Sequence, residues 1–221
     1  MEYLTHELIS KKISESICSK LLFDKENWED GKKTAGSQAI KIKNNLQLNR
    51  NSSISKELTS FVQNALLTDQ LIKSFTIPKK IHGLMFTRTS SGKGYGMHID
   101  NPYMSSGRSD LSFTLFLNEM DQYSGGELAI QDLQNSRKIK LPAGSVIVYP
   151  STSLHSVEKV ISGERIVCVG WIESYVSSNE ERNTLFGLDA GSKALLAKYG
   201  RSDELDLIFQ AYANLLRILG D

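Results

Sequence analysis

LSFTLFLN at residues 111–118 is the first of four short runs that decide the fold class; the others are GELAI (126–130), GSVIVYP (144–150) and ERIVCVGWI (164–172). All four are rich in β-branched or other apolar residues, a composition that favours strands. Turn signals such as Ser-Gly-Gly at 124–126 and Pro-Ala-Gly at 142–144 separate them. Short strands at this spacing, with no long helix between them, predict an antiparallel sandwich or barrel rather than a parallel α/β sheet.

Helical patterns flank this β-rich middle on both sides. Before it, apolar residues at 58, 61, 62, 65 and 66 follow the period of an amphipathic helix. After it, Ser178 to Glu181 spells a capping box, and an apolar stripe runs from Leu205 to Leu219. We therefore expect a mainly β protein with flanking helices, with a helical N-terminal part over about 1–76, a β core over about 77–176 and a C-terminal helical extension over 177–221. The last stripe is expected to pack on the core, and a dimer seam is the alternative.

Composition and charge exclude several classes of protein. The 221 residues contain 26 Lys+Arg and 25 Asp+Glu, a net charge of +1 that gives no overall attraction to nucleic acid or acidic membranes. The two cysteines, Cys18 and Cys168, are too few for a disulfide framework and favour a reducing compartment. The first twenty residues lack the unbroken apolar stretch of a secretory signal, and no run approaches the ~20 apolar residues of a membrane span. We expect a soluble, cytoplasmic protein with neither membrane nor nucleic-acid partners.

The string YGMHID at 95–100 carries the clearest chemical signal. In an extended segment, residues two apart point the same way, so His98 and Asp100 present an imidazole and a carboxylate to one side. His155 follows the run that ends at Pro150, and Arg165 comes ten residues later, beyond a turn at Ser-Gly 162–163. The pattern therefore brings two imidazoles, one carboxylate and one guanidinium into the β-rich region.

This set of residue types suggests iron chemistry with an organic acid. Two histidines and one carboxylate bind divalent iron on one face and leave the other positions open for a bidentate organic acid and dioxygen. A nearby guanidinium can hold a second carboxylate through two parallel hydrogen bonds. The geometry favours a dicarboxylate with an α-keto end, of which 2-oxoglutarate is the common one. A zinc hydrolase would also fit three ligands and an open site, but it accounts less well for the arginine.

The sequence resembles the PKHD-type hydroxylases, a family of bacterial Fe(II)/2-oxoglutarate-dependent oxygenases related to prolyl 4-hydroxylases. The resemblance covers about residues 25–217. The matching strings are KNN (43–45), YGMHID (95–100), DLSFTLFLN (110–118), YSGGELAI (123–130), KLPAGSVIVYPSTSLHSV (140–157), GERIVCVGWIES (163–174), LFGLD (185–189) and YANLLR (212–217).

The resemblance implies a double-stranded β-helix, or jelly-roll, core within a dioxygenase domain over 1–176. It implies that His98, Asp100 and His155 bind one Fe(II) per subunit and that Arg165 binds the distal carboxylate of 2-oxoglutarate. Dioxygen would be the second co-substrate, and L-ascorbate (vitamin C) would be the reductant that restores the iron. The primary substrate would be a protein side chain, such as a prolyl residue, or a small metabolite.

Other candidate residues keep two interpretations each. The hydroxyls of Ser112 and Thr114 either touch the co-substrate or serve the structure, and Tyr95 either reaches the co-substrate or substrate or packs in the core. Related prolyl hydroxylases have a tyrosine near the position where this chain has Thr114. We therefore expect the distal carboxylate to lack a phenol partner. Arg88 points into the mouth of the site or lies on the surface. Residues 43–45 are candidates to line the substrate groove. We expect Trp171 and Cys168 to belong to the core, and the glycines at 92–96 to form a lid or tight turn.

Three rival functions stay open at this stage. A nucleic-acid demethylase shares the metal motif but typically carries a second arginine six residues after the first, where this chain has Trp171. A non-catalytic metal-binding jelly-roll sensor would not need an arginine beside open iron positions. A zinc-dependent hydrolase would need a general base near the metal, and the sequence identifies none.

Overall fold

The computed structural model describes residues 3–34, 41–131 and 135–221, which form five α-helices and fourteen strands. The helices are α1 (Lys11–Phe23), α2 (Ser53–Thr68), α3 (Gln70–Thr76), α4 (Asn179–Tyr199) and α5 (Asp203–Leu219). The strands are β1 (Leu4–Glu7), β2 (Trp28–Asp30), β3 (Leu46–Leu48), β4 (Pro78–Ser90), β5 (Tyr95–His98), β6 (Tyr103–Met104), β7 (Gly107–Arg108), β8 (Leu111–Phe116), β9 (Tyr123–Gly125), β10 (Leu128–Gln131), β11 (Ser136–Ile139), β12 (Ser145–Pro150), β13 (His155–Val157) and β14 (Val160–Ser174).

Two antiparallel sheets form the core. The larger sheet has the strand order β1-β12-β8-β14-β4-β3-β2, and β9 pairs with the beginning of β14. The smaller sheet has the order β11-β10-β13-β5. One buried cluster joins the two, because Phe116, Ile147 and Val167 of the larger sheet pack with Leu128 and Ile139 of the smaller one. This arrangement of two facing sheets confirms the predicted mainly β architecture with a jelly-roll core.

Alternation along β8 explains how the larger sheet serves two cores. Leu111, Phe113 and Leu115 face the helices, where α1, α2 and α3 cover the outer surface of the sheet. Phe116 points to the opposite face of the strand and belongs to the cluster between the sheets. All six residues of β8 are buried, as expected for a strand that is covered on both faces.

The helical predictions hold, with one addition at the N-terminus. The amphipathic segment around residues 58–66 lies in α2, and the expected caps are present because Ser178 and Ser202 accept backbone hydrogen bonds at the starts of α4 and α5. Part of the last stripe packs on a small cluster around Val176 and Leu185. In addition, β1, β2 and β3 of the N-terminal region join the larger sheet. Within the described residues, no helix combines the length and apolar character needed to span a membrane.

Candidate metal centre and active site

Three predicted metal ligands converge between the sheets. His98 ends β5 and His155 begins β13, and the two residues are direct partners in the antiparallel ladder. Asp100 lies two residues beyond His98 and on the same side, as the period of an extended chain requires. The ligand atoms of these three residues all lie within 4.8 Å of one another, and the structure groups no other His, Cys, Asp or Glu residues of the described chain in this way.

The hydrogen bonds of the two histidines prepare them for a metal. Nδ1 of His98 donates to the carbonyl oxygen of Gly96 at 2.8 Å, and Nδ1 of His155 donates to that of Ser153 at 3.0 Å. With the proton held on Nδ1, each Nε2 keeps its lone pair for a ligand. Burial and the neighbouring His155 lower the pKa of His98 to about 4, so its imidazole is neutral near pH 7.

The carboxylate is held in place by a short hydroxyl chain. Oδ2 of Asp100 accepts a hydrogen bond from Oγ of Ser112 at 2.6 Å, and that hydroxyl also lies 2.7 Å from Oγ of Ser151. Nε2 of His98 is 4.0 Å from Oδ1 of Asp100, and Nε2 of His155 is 3.8 Å from Oδ2. Ligand atoms about 2.1 Å from a common metal are roughly 3–4 Å apart, so these spacings fit one divalent ion.

Arg165 lies on the inner face of β14, where its buried guanidinium is a candidate to bind an anion. Its side chain is 2% exposed, its charged group lies 5.4 Å from the ring centre of Phe116, and its Nε has no hydrogen-bond partner. It forms no ion pair with the described residues, and burial lowers its pKa. A buried cation without an ion pair costs several kcal/mol, and the carboxylate of a bound organic acid would offset that cost. This orphaned cation fits the distal end of 2-oxoglutarate.

Two phenols lie beside Arg165, on strands other than the one from which a phenol partner for the distal carboxylate was expected to be missing. Tyr123 on β9 and Tyr149 on β12 are the phenols close enough to the guanidinium to influence its pKa, and both are neutral because burial raises their own pKa values. The hydroxyl of Tyr123 is buried without a hydrogen-bond partner, and the ring of Tyr149 packs edge-on against His155 at 5.3 Å. The expectation considered only β8, whereas the neighbouring strands β9 and β12 place phenols close to Arg165. Gly126, at φ +70°, makes room, since a Cβ there would lie 3.2 Å from Cδ of Arg165.

One cavity of about 1020 Å³ contains the three ligands, Arg165 and most of the secondary candidates. Tyr95 lines it and stacks on His98 with ring centres 3.7 Å apart. Thr114 lines it beside Tyr149, whereas the hydroxyl of Ser112 is engaged with Asp100.

The remaining candidates divide between the cavity and the surface. Lys43 and Asn45 line the cavity, but Asn44 is exposed and does not. Arg88 points away and forms a bidentate ion pair with Glu164 at 2.9 and 2.7 Å, as a surface arginine. Gly92 and Gly94 lie in the tight turn between β4 and β5, whereas Gly96 lies within β5.

Trp171 corrects one expectation. It is not a core residue: it is half-buried, lines the cavity, and its Nε1 is buried without a hydrogen-bond partner. Its ring lies over Gly83, where any Cβ would come within 2.6 Å of it. Cys168, in contrast, is fully buried in the core as predicted, because it faces the helices.

The sequence of this chain is similar to those of known oxygenases. Residues 84–173 match the model of the 2OG-Fe(II) oxygenase superfamily. The chain is 62% identical to a PKHD-type hydroxylase of Prochlorococcus marinus strain MIT 9211 over all 221 residues, which is the full length of both proteins. It is 63% identical to a PKHD-type hydroxylase of strain MIT 9313 over 220 residues, again covering both chains completely.

Solved structures agree on the fold. A Pseudomonas putida prolyl-4-hydroxylase aligns with 78% of this chain and 92% of its own, with a TM-score of 0.57 at 15% identity. A prolyl hydroxylase from Trichoplax adhaerens, solved with a peptide of hypoxia inducible factor, aligns with 83% of this chain and 86% of its own, with a TM-score of 0.58 at 15% identity. At this level of identity the likeness establishes the jelly-roll fold.

Proposed function

The chain belongs to the PKHD-type hydroxylases of the 2OG-Fe(II) oxygenase superfamily, and from this premise we propose that it hydroxylates a substrate at a centre formed by His98, Asp100, His155 and Arg165. One observation carries the proposal: a His-Asp-His ligand set, of which His155 is buried and the other two are partly buried, shares a cavity with a buried arginine that has no ion pair in the described chain. The enzyme is an Fe(II)- and 2-oxoglutarate-dependent dioxygenase, and its substrate is a protein side chain, such as a prolyl residue, or a small metabolite.

In this proposal each residue has a defined task. His98, Asp100 and His155 hold Fe(II), and Ser112 orients the carboxylate of Asp100. Bound iron supplies the dioxygen chemistry, in which 2-oxoglutarate becomes succinate and CO₂ with one oxygen atom of O₂ and the substrate gains the other as a hydroxyl.

The chain itself positions and shields the reactants. Arg165 binds the distal carboxylate, with Tyr123 and Tyr149 alongside, and so orients the keto acid toward the ligand set. Thr114 lies in the same part of the cavity and is proposed to contact the co-substrate, and Tyr95 covers one face of the His98 ring. Packing of the two sheets around these groups excludes bulk water.

The rival functions have less support. A zinc hydrolase needs a general base beside the metal, and among the described residues that line the cavity Asp100 is the only carboxylate. A demethylase would place a second arginine at Trp171, which instead supplies an indole to the cavity wall. A non-catalytic sensor has no use for a buried, unneutralised Arg165.

Three finer features complete the proposal. L-ascorbate restores iron after turnovers that fail to hydroxylate substrate, and the protein works in the cytoplasm, where Cys18 and Cys168 remain free thiols. Self-association would use the C-terminal helices, on which Leu207 and Ile218 are exposed.

Anaerobic titration with Fe(II) and 2-oxoglutarate, followed by ultraviolet–visible spectroscopy, tests the centre. We expect a weak metal-to-ligand charge-transfer band that is absent in His155→Ala. The Arg88→Ala variant is the matched control, because Arg88 lies on the other face of the larger sheet, and it should keep the band. Absence of any band in the wild type, with zinc bound tightly instead, would refute the proposal and favour the hydrolase or the sensor.

A further inference from the structure

The short connection between β12 and β13 reaches the supports of two of the three metal ligands. Its first residue, Ser151, places Oγ 2.7 Å from Oγ of Ser112, the hydroxyl that donates to Oδ2 of Asp100. Its third residue, Ser153, accepts the hydrogen bond from Nδ1 of His155 at its carbonyl oxygen. One turn therefore contacts the group that holds the carboxylate and directly holds one imidazole.

Backbone hydrogen bonds fix this turn against both sheets. At its start, the amide of Ser151 donates to the carbonyl oxygen of Asp110, next to β8, at 3.0 Å. At its end, the carbonyl oxygen of Leu154 accepts from the amide of Gln131 on β10 at 2.8 Å. The side chain of Ser151 is also buried, with 3% of its surface exposed. The position of its hydroxyl is therefore set by the fold.

The number of protons available gives the direction of the hydroxyl chain. A serine hydroxyl has one proton to donate, and that of Ser112 goes to Asp100, which as an ionised metal ligand can only accept. The contact between the two serines then requires Ser151 as the donor. The reverse direction would take the proton of Ser112 away from Asp100 and leave that of Ser151 without a partner among the described residues. It would cost one hydrogen bond.

This direction lets Ser151 act on the carboxylate from one bond further away. A hydroxyl that accepts one hydrogen bond is polarised by it and donates a stronger one, so Ser151 strengthens the bond from Ser112 to Asp100. Both serines are buried, and such chains are electrostatically stronger there than in water. Groups that directly orient a metal ligand typically change metal affinity by roughly 10- to 100-fold. We expect a smaller effect from Ser151, because it acts through another hydroxyl.

We infer that Ser151 is a positioning residue of the metal centre, which acts on Asp100 through the hydroxyl of Ser112. The inference rests on the proposed function, since Ser151 has this task only if Asp100 binds the metal. It adds to the centre a residue that lies 51 positions from Asp100 in the chain and does not touch the metal ligands itself.

A double-mutant cycle on Zn(II) affinity tests this inference. Competition with a chromogenic chelator measures the dissociation constant of Zn(II) for the wild type, for Ser151→Ala, for Ser112→Ala and for the double variant. We expect Ser151→Ala to raise the constant about threefold and Ser112→Ala about tenfold, with the double variant equal to Ser112→Ala alone. The two changes should not multiply, because Ser151 has nothing to act through once the hydroxyl of Ser112 is gone.

Thr152→Ala is the matched control. It removes a hydroxyl from the same turn, but that hydroxyl accepts from Nδ2 of Asn179 on α4 at 3.3 Å. The control should keep the wild-type Zn(II) constant. The visible spectrum of the Co(II)-loaded protein, which reports the arrangement of the ligands, should shift in Ser151→Ala as it does in Ser112→Ala and stay unchanged in Thr152→Ala. Ser151→Gly, which also lacks the hydroxyl, gives the same comparison if Ser151→Ala does not fold.

The outcomes separate this inference from the proposed function. A wild-type Zn(II) constant or a wild-type Co(II) spectrum in Ser151→Ala would overturn the inference. So would a threefold loss that persists when Ser112 is already alanine, since Ser151 would then act through the fold in general. If instead the wild type binds Zn(II) no better than His155→Ala does, the proposed function is contradicted, and the inference falls with it.

Discussion

Replacing Arg165 by methionine should stabilise the ligand-free protein and weaken 2-oxoglutarate binding at the same time. The side chain is 2% exposed and lacks an ion pair among the described residues, so the folded chain carries the desolvation cost of its charge. Methionine keeps most of the apolar contact with Phe116 and removes the charge. Exchanges of buried charges for apolar residues of similar volume stabilise proteins by about 1–4 kcal/mol.

Co-substrate binding should change in the opposite direction. A carboxylate that loses a buried, charged hydrogen-bond partner loses about 2–4 kcal/mol of binding free energy, which raises the dissociation constant of 2-oxoglutarate by roughly 30- to 1000-fold. Calorimetric titration of the zinc-loaded protein measures this constant directly. Thermal unfolding without ligand measures the first effect, and each kcal/mol corresponds to roughly 2–4 °C in Tm for a chain of this size.

Arg88→Met is the matched control for both measurements. Arg88 lies on the neighbouring strand β4, but its ion pair with Glu164 is part-exposed, with side chains 26% and 34% accessible. Its loss should destabilise the protein by about 0–1 kcal/mol and leave 2-oxoglutarate binding unchanged. If Arg165→Met lowers the stability of the ligand-free protein and binds 2-oxoglutarate as the wild type does, then Arg165 is a structural residue and the assigned role is wrong.

Three other changes test neighbouring parts of the site. Ser112→Ala should weaken zinc affinity roughly tenfold without unfolding, because Asp100 loses its orienting hydroxyl, and competition with a chromogenic chelator measures this. Tyr123→Phe should raise the dissociation constant of 2-oxoglutarate about tenfold, and an unchanged constant would exclude a contact. Burial raises the pKa of Cys18 to about 11 and also raises that of Cys168. Iodoacetamide at pH 8 should therefore alkylate both thiols at least about 100-fold more slowly in the native protein than in urea. Equal rates would contradict the buried positions of the two thiols.

The sequence predicts the local part of the metal centre well. The spacing of His98 and Asp100 follows from the period of an extended chain, and the structure keeps both on one side. His155 is a candidate from its place after the strand that ends at Pro150, but its assignment as the third ligand needs the resemblance, because its pairing with His98 joins strands 57 residues apart in sequence and no local pattern specifies such a register. The three N-terminal strands have only three or four residues each, too few for a period to be recognised, so their pairing is set by the sheet that they join.

Some of the missed residues had a usable signal. Trp171 is six residues after Arg165 on one long strand, and an even spacing predicts the same face of the sheet. Treating it as a core residue ignored that parity. Tyr123 had no such signal, since it reaches Arg165 only because β9 pairs with the beginning of β14.

Sequence motifs reveal more about the co-substrate than about the substrate, because strand period places side chains in one part of the cavity and tertiary packing places them in the other. The part of the cavity around Arg165 is built from the inner faces of β8, β12 and β14, where strand period places the side chains. The opposite wall depends on residues 43–50, which an isolated bridge to Tyr95 and the short pairing of β3 with β4 hold against the core. Such contacts follow from tertiary packing and leave no periodic pattern. The reaction type is therefore readable from the sequence, whereas the composition of the opposite wall emerges only from the structure.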